Sequence, residues 1–211
     1  MLEMEHVTFR YSKETPVILS DVSVSFGKGE FIAVTGRNGS GKTMLMKCIC
    51  GFNTLFTGEI RVDDKVIGKD LEFPENPGFI IETPGFIPYM SGFDNLKVLA
   101  KIKNKITHED IRDYMNLVGL DPDSKKNVKK YSLGMRQRLG IAQALMEDPK
   151  VLILDEPFNG LDKSMTQRIR EILVEEKQKG KTILLVSHNE NDISYICDKI
   201  YEIDGGRIWT V

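Results

Sequence analysis

The sequence is poor in the residues that staple small folds or hold soft metals. Three cysteines stand in 211 residues. Cys48 and Cys50 are two apart in a helical pattern, so they point to different faces, and Cys197 stands alone. That gives neither a disulfide framework nor a zinc site, and all three read as small core hydrophobes. Neither sign of charge dominates: Lys+Arg number 29 and Asp+Glu 31, for a net charge of −2. There is no overall field to attract nucleic acid or anionic lipid, so any such contact is local. No apolar run approaches the roughly 20 residues of a membrane span. Met1–His6 lacks the basic flank and apolar core of a signal peptide, so the chain reads as soluble and cytosolic. Repeats, low-complexity tracts and long linkers are also absent. At this length, one large core with at most a small satellite subdomain fits better than two independent domains.

What stands out is Gly36-Arg37-Asn38-Gly39-Ser40-Gly41-Lys42-Thr43, a complete G-x-x-x-x-G-K-[ST] phosphate-binding loop. A glycine-rich turn of this kind exposes successive N–H groups to the α- and β-phosphates, while Lys42 reaches the β/γ oxygens and Thr43 a Mg²⁺ ion. Phe31–Val34 reads as the buried strand entering the loop, and Met44–Ile49 as the helix leaving it, which is the confirming context. The helix dipole adds positive potential at the phosphates.

Phe31–Val34, Val151–Leu154 and Ile183–Val186 have the unbroken hydrophobicity of strands covered on both faces, and so predict the centre of a parallel sheet. Helical patterns over about 41–50, 132–147, 162–178 and 189–197 separate or follow them, with Asp162 and Asn189 as N-caps. This is α/β alternation. Residues 2–11 and 17–26 read as strands, and 58–62 with 65–67 as a hairpin around Asp63-Asp64, which suggests an antiparallel layer beside the core. From about 84 to 130 the pattern turns helical, with the capping signatures Ser91–Asp94 and Thr107–Asp110.

Each central strand is followed by residues capable of chemistry: the phosphate loop, then Asp155-Glu156, then Ser187-His188. Ligands bind at the carboxyl ends of strands in open α/β sheets, which brings the three clusters to one nucleotide. Asp155 is placed to hold Mg²⁺, and Glu156 to orient and deprotonate the attacking water. His188 says little as a lone histidine, but at a strand end it reads as a sensor of the γ-phosphate.

Together with Ser132-Leu133-Gly134-Met135 and its following helix, and with Asn159-Gly160-Leu161-Asp162, these motifs in this order closely resemble the ATP-binding cassette (ABC) ATPase family over essentially all 211 residues. The resemblance implies a RecA-like P-loop NTPase core over about 1–83 and 149–211, with a β layer and an inserted helical subdomain over about 84–148. It implies ATP and Mg²⁺ as cofactors, a second ATPase subunit (a homodimer), and a separate membrane permease on the inner face of the cell membrane. In the head-to-tail dimer of the family, Ser132, Leu133, Gly134 and Met135 would meet the partner's ATP, and Asp162 would cross the interface. Tyr11 matches the adenine-stacking aromatic, with Val17 beside it at the ATP site, although Tyr11 also suits the end of a strand.

Two departures are visible. The family signature usually reads Ser-Gly-Gly-Gln, and here Leu133 and Met135 replace a glycine and the glutamine. The family's Q-loop glutamine is also missing, since no glutamine precedes Gln137, and Glu82 occupies its place. A carboxylate keeps the oxygen donor and suits a hard cation, so Glu82 joins Thr43 and Asp155 as an expected metal ligand. The Ile-Glu-Thr-Pro-Gly-Phe stretch and the altered signature look most like ATPase subunits of bacitracin- or lantibiotic-type peptide antibiotic resistance and export systems. Phe86, Ile87, Tyr89 and Met90 suit either local packing or a groove for a permease helix. Lys125, Lys126, Lys129 and Lys130 suit a solvated face better than a headgroup or nucleic-acid patch. The alternatives are a soluble ABC ATPase acting on ribosomes or nucleic acid, and a metabolic P-loop kinase, for which the signature would be useless.

Overall fold

The three apolar runs fold as adjacent central strands of one sheet. The computed structural model describes residues 1–188, 193 and 196–211. Its strands are β1 (Leu2–Phe9), β2 (Leu19–Phe26), β3 (Phe31–Thr35), β4 (Phe56–Val62), β5 (Lys65–Val66), β6 (Gly78–Ile80), β7 (Val151–Asp155), β8 (Thr182–Val186), β9 (Lys199–Asp204) and β10 (Arg207–Thr210). Its α-helices are α1 (Lys42–Ile49), α2 (Gly92–Lys103), α3 (His108–Leu117), α4 (Leu133–Leu145) and α5 (Lys163–Gln178). The larger sheet runs β10-β9-β3-β8-β7-β6, and all its pairs are parallel except β9–β10.

Why these strands are apolar at every position follows from where alternate residues go. Phe31, Ala33, Leu152, Leu154, Ile183 and Leu185 join the core beneath α2–α5. Ile32, Val34, Ile153, Leu184 and Val186 join the opposite core, which is completed by α1 and β1, β2 and β4. A strand buried on both faces has no solvent side on which to place a polar residue. Each of these side chains larger than alanine contributes about 1.5–3 kcal/mol by leaving water. The second sheet, β2-β1-β4-β5, is antiparallel throughout and closes over α1. Helix α1 is therefore covered on several sides, and Cys48 within it and Cys50 just after it are buried as expected.

The caps follow the sequence signals. Ser91 accepts the Asp94 N–H, Thr107 and Asp110 form a reciprocal capping box, and Asp162 accepts the Met165 N–H. The structure differs at two places. Residues 10–18 form a loop rather than strand ends, held by a Ser12–Thr15 turn. The β9–β10 hairpin has mixed burial and no clear alternation, so its pattern gave no warning. The helix expected at 189–197 lies largely outside the described residues.

Candidate nucleotide site

The phosphate loop leaves the carboxyl end of β3 and enters α1 at Lys42. Gly36 has φ +139°, and a Cβ there would sit 2.1 Å from the Ile203 carbonyl oxygen, so no larger residue fits where the loop crosses β9. At Gly41 (φ +114°) the helix begins without a side-chain cap, which leaves its first N–H groups free of side-chain partners, as an anion site requires. Lys42 is buried and donates to the carbonyls of Gly36 at 2.7 Å and Arg37 at 2.8 Å, tying the loop to its own helix. Asn38, Gly39, Gly41, Lys42, Thr43, Met44 and Ile18 line a cavity of about 380 Å³. Ser40 is buried beneath the loop. Larger clefts of 460 and 500 Å³ open near the amino end of β7, where Lys28 pairs with Asp63 and Lys181 with Asp148. Those charges are satisfied internally, and the chemistry lies at the other end of the sheet.

There the Thr43 hydroxyl donates to Asp155 Oδ2 at 2.9 Å. Asp155 is the last residue of β7 and is buried, so a hydroxyl and a carboxylate oxygen lie together beside the loop. Among the described residues, no group of three or more His, Cys, Asp and Glu is gathered to hold a metal. Two oxygen donors from protein, with phosphate oxygens and water completing the shell, is the pattern that suits Mg²⁺. The residues present fit that ion.

Glu156 follows with φ +48°, and its N–H donates to the Val186 carbonyl at 2.9 Å. Its Oε1 lies 2.8 Å from His188 Nδ1, on a histidine whose side chain is 62% exposed. The buried amide of Gln137, on α4, donates to the Glu156 carbonyl at 3.2 Å. Sequence reasoning missed Gln137; its only signal was a polar residue on the inward face of a helix.

Glu82 lies just beyond β6 with φ +59°, and its Oε1 accepts from Lys47 Nζ at 2.7 Å. Its carboxylate thus meets an ammonium rather than joining Asp155 in a metal-holding group. Lys47 was also missed, though it lies one helical turn after Thr43 on the same face.

Tyr11 stands beyond the end of β1, 62% exposed and edge-on to Phe9 with ring centroids 5.3 Å apart. Val17 is exposed on the same β1–β2 loop, next to Ile18, whose carbonyl would lie 3.0 Å from a Cβ at Gly41. The loop carrying both residues therefore runs beside the phosphate loop.

The signature opens α4, where the Ser132 Oγ accepts the Met135 N–H at 3.1 Å. Leu133 is half exposed, and Met135 packs partly against the helical core. A Cβ on Gly134 would lie 2.5 Å from the Gly160 carbonyl oxygen, so the signature turn rests directly on residues 159–162. Asp162 Oδ1 accepts from the Met165 N–H at 2.8 Å and the Ser164 hydroxyl at 2.7 Å. These bonds hold its carboxyl below the usual carboxylate range. Farther along α4, Pro84 fills a notch at Gly140, where a Cβ would be 2.6 Å from its Cγ.

A parallel sheet with a phosphate loop after one strand, and paired acids after its neighbour but one, defines a P-loop nucleoside triphosphatase. The chain belongs to the ABC transporter family, whose sequence profile matches residues 19–159, and is an ATP-binding ATPase subunit of that class. It is 40% identical over 210 residues to the ABC transporter ATP-binding protein YybJ of Bacillus subtilis (strain 168), covering 100% of this chain and 95% of the relative. It is 38% identical to the lantibiotic transport ATP-binding protein SrtF of Streptococcus pyogenes, covering 99% and 89%. To the bacitracin transport ATP-binding protein BcrA of Enterococcus faecalis it is 35% identical, covering 99% and 68%. Its fold matches the ATP-binding cassette MJ0796 in a dimeric post-hydrolysis state bound to ADP and Pi, with a TM-score of 0.87, 21% identity, and 99% and 96% coverage. Among the described residues, no helix is long and apolar enough to cross a membrane.

Proposed function

We propose that this chain powers a separate membrane permease from the inner face of the cell membrane, working as a homodimer that closes on two ATP molecules. One observation carries the reading: the chain presents both a phosphate loop and, at the start of α4, a signature turn with Leu133 exposed, which are the two halves of a shared ATP site. Leu133 and Met135 leave the backbone donors of that turn intact.

In the loaded site, Lys42 turns from the carbonyls of Gly36 and Arg37 to the β/γ-phosphate oxygens, joined by the loop N–H groups of residues 37–43. Tyr11 stacks on adenine, with Val17 alongside. Thr43, Asp155 and Glu82 would hold Mg²⁺, which would supply neutralisation of the charge that develops on the phosphates. Glu156 orients the attacking water and takes its proton, work worth about 10²–10⁴ in rate. His188 holds Glu156 through Nδ1 and leaves its other ring nitrogen for the γ-phosphate. Residues 84–148 act as a helical unit that carries the signature towards the partner's ATP, while Asp162 crosses the interface. Ile87 and Tyr89, both exposed, provide the permease groove. The likeness to bacitracin and lantibiotic transport proteins supports a peptide antibiotic as cargo, exported or excluded by the host.

The test is purification of the intact chain from its native membranes in mild detergent. A polytopic membrane protein recovered in stoichiometric amount supports the transporter reading. Recovery with ribosomes or nucleic acid, or with no membrane partner, overturns it.

A further inference from the structure

Helix α1 grips two carboxylates with successive turns. Thr43 and Lys47 are four residues apart and share a face. The Thr43 hydroxyl holds Asp155, and the Lys47 ammonium holds Glu82. The two acids also leave neighbouring strands at the same edge of the sheet. Strands β6 and β7 run parallel with Ile80 opposite Leu154, so Asp155 is one residue and Glu82 two residues past a matched pair. Yet the acids are partnered differently, one by a neutral hydroxyl and the other by a cation.

We infer that Lys47 is a positioning residue for Glu82, its ammonium and the Mg²⁺ of bound nucleotide being alternative partners of one carboxylate. The inference rests on the assignment of Glu82 as a metal ligand in the proposed function. Glu82 Oε1 cannot accept from an ammonium at 2.7 Å and bind a hard cation at the 2.0–2.1 Å typical of magnesium in the same direction. In this contact, Lys47 neutralises the extra negative charge that a glutamate brings to this position. It also holds the residue in its left-handed backbone conformation, φ +59°, with the carboxylate turned to α1. When nucleotide and metal arrive, the carboxylate exchanges an ammonium for a divalent ion and Lys47 is released. A glutamine at position 82 would carry no charge for Lys47 to hold, so the exchange belongs to a chain with an acid there. The Lys47–Glu82 pair therefore sets how much metal is needed to draw the loop after β6 into the loaded site. The pair is partly exposed, with side chains 25% and 62% accessible, so the competition is modest and readily reversed.

The experiment is a double-substitution cycle of Lys47→Met and Glu82→Gln, all in a Glu156→Gln background so that ATP is not consumed. Free Mg²⁺ is titrated at fixed trinitrophenyl-ATP, and nucleotide fluorescence gives the Mg²⁺ concentration at half-maximal binding. Lys47→Met is expected to lower that midpoint about threefold, the size of an exposed ion pair. In the Glu82→Gln background it is expected to have little effect, because the competition is already gone. Lys47→Arg keeps the charge and should keep the midpoint. A shift of equal size in both backgrounds, or none in either, overturns the inference: the first is a general charge effect, the second a purely structural pair. Glu82→Ala, made in the Lys47→Met background where no ammonium competes and no side-chain oxygen remains, separates the two layers. If it leaves the midpoint unchanged, the metal-ligand assignment fails, and if it raises the midpoint while Lys47→Met alone does nothing, only the competition fails.

Discussion

His188 Nδ1 lies 2.8 Å from Glu156 Oε1, although the two residues are 32 positions apart and follow different strands. The sheet delivers the contact: Asp155 pairs with Val186, and the Glu156 N–H then donates to the Val186 carbonyl. A pair held this way should behave as a unit. Glu156→Gln is expected to slow phosphate release by about 10²–10⁴-fold while ATP still binds, and His188→Ala to slow it by less. The double variant should be about as slow as Glu156→Gln alone. Steady-state phosphate release decides it; losses that multiply would mean that the two residues act separately.

Tyr11 offers an exposed ring braced edge-on by Phe9. Aromatic stacking on a base is worth about 1–3 kcal/mol, so Tyr11→Ala should weaken ATP binding roughly tenfold and Tyr11→Phe should hardly change it. Inorganic triphosphate, which has no base, should bind wild type and Tyr11→Ala alike. Calorimetric titration with both ligands makes the comparison, and equal losses for both would remove the ring from the adenine site.

Gly134 has no room for a methyl group, because its Cβ would meet a backbone carbonyl that cannot swing away. Gly134→Ala should therefore destabilise the chain by about 1–3 kcal/mol. It should also push the signature turn off residues 159–162. Urea denaturation measures the first effect, and ATP-dependent dimerisation by sedimentation the second. Unchanged values in both would mean that the turn is more plastic than its packing indicates.

Burial at the end of α1 pushes the thiols of Cys48 and Cys50 up to about 12. An unfolded thiol titrates near about 8.5, so the stabilisation is complete below that pH. As pH rises from there towards 12 the unfolded chain loses protons that the folded chain keeps, and stability falls by about 1.4 kcal/mol per pH unit for each thiol. Urea midpoints between pH 8 and about 10.5 should drop more steeply for wild type than for Cys48→Ala or Cys50→Ala. Parallel curves would mean that the thiols ionise in place.

The central strands were legible because burial on both faces leaves an unbroken apolar run, and the phosphate loop because its glycines meet a stated steric need. Thr43 and Asp155 were expected on one nucleotide by the rule of strand ends, and their side chains do meet. What escaped depends on packing between distant segments. Nothing near Lys47 marks residue 82 as its partner, 35 positions away, and Gln137 finds a backbone carbonyl rather than a side chain. The β9–β10 hairpin escaped because half-covered strands dilute the alternation that would announce them.

Pro84 in the notch at Gly140 works like a pawl seated in a ratchet tooth. A rigid ring wedged against a bare stretch of helix leaves no slack, so a tilt of α4 displaces residue 84 in step. That residue is two positions from Glu82, and α4 begins at the signature. A bulkier residue at position 140 would lift the pawl, and movements of the signature end and of the loop after β6 would then be free to go their own ways.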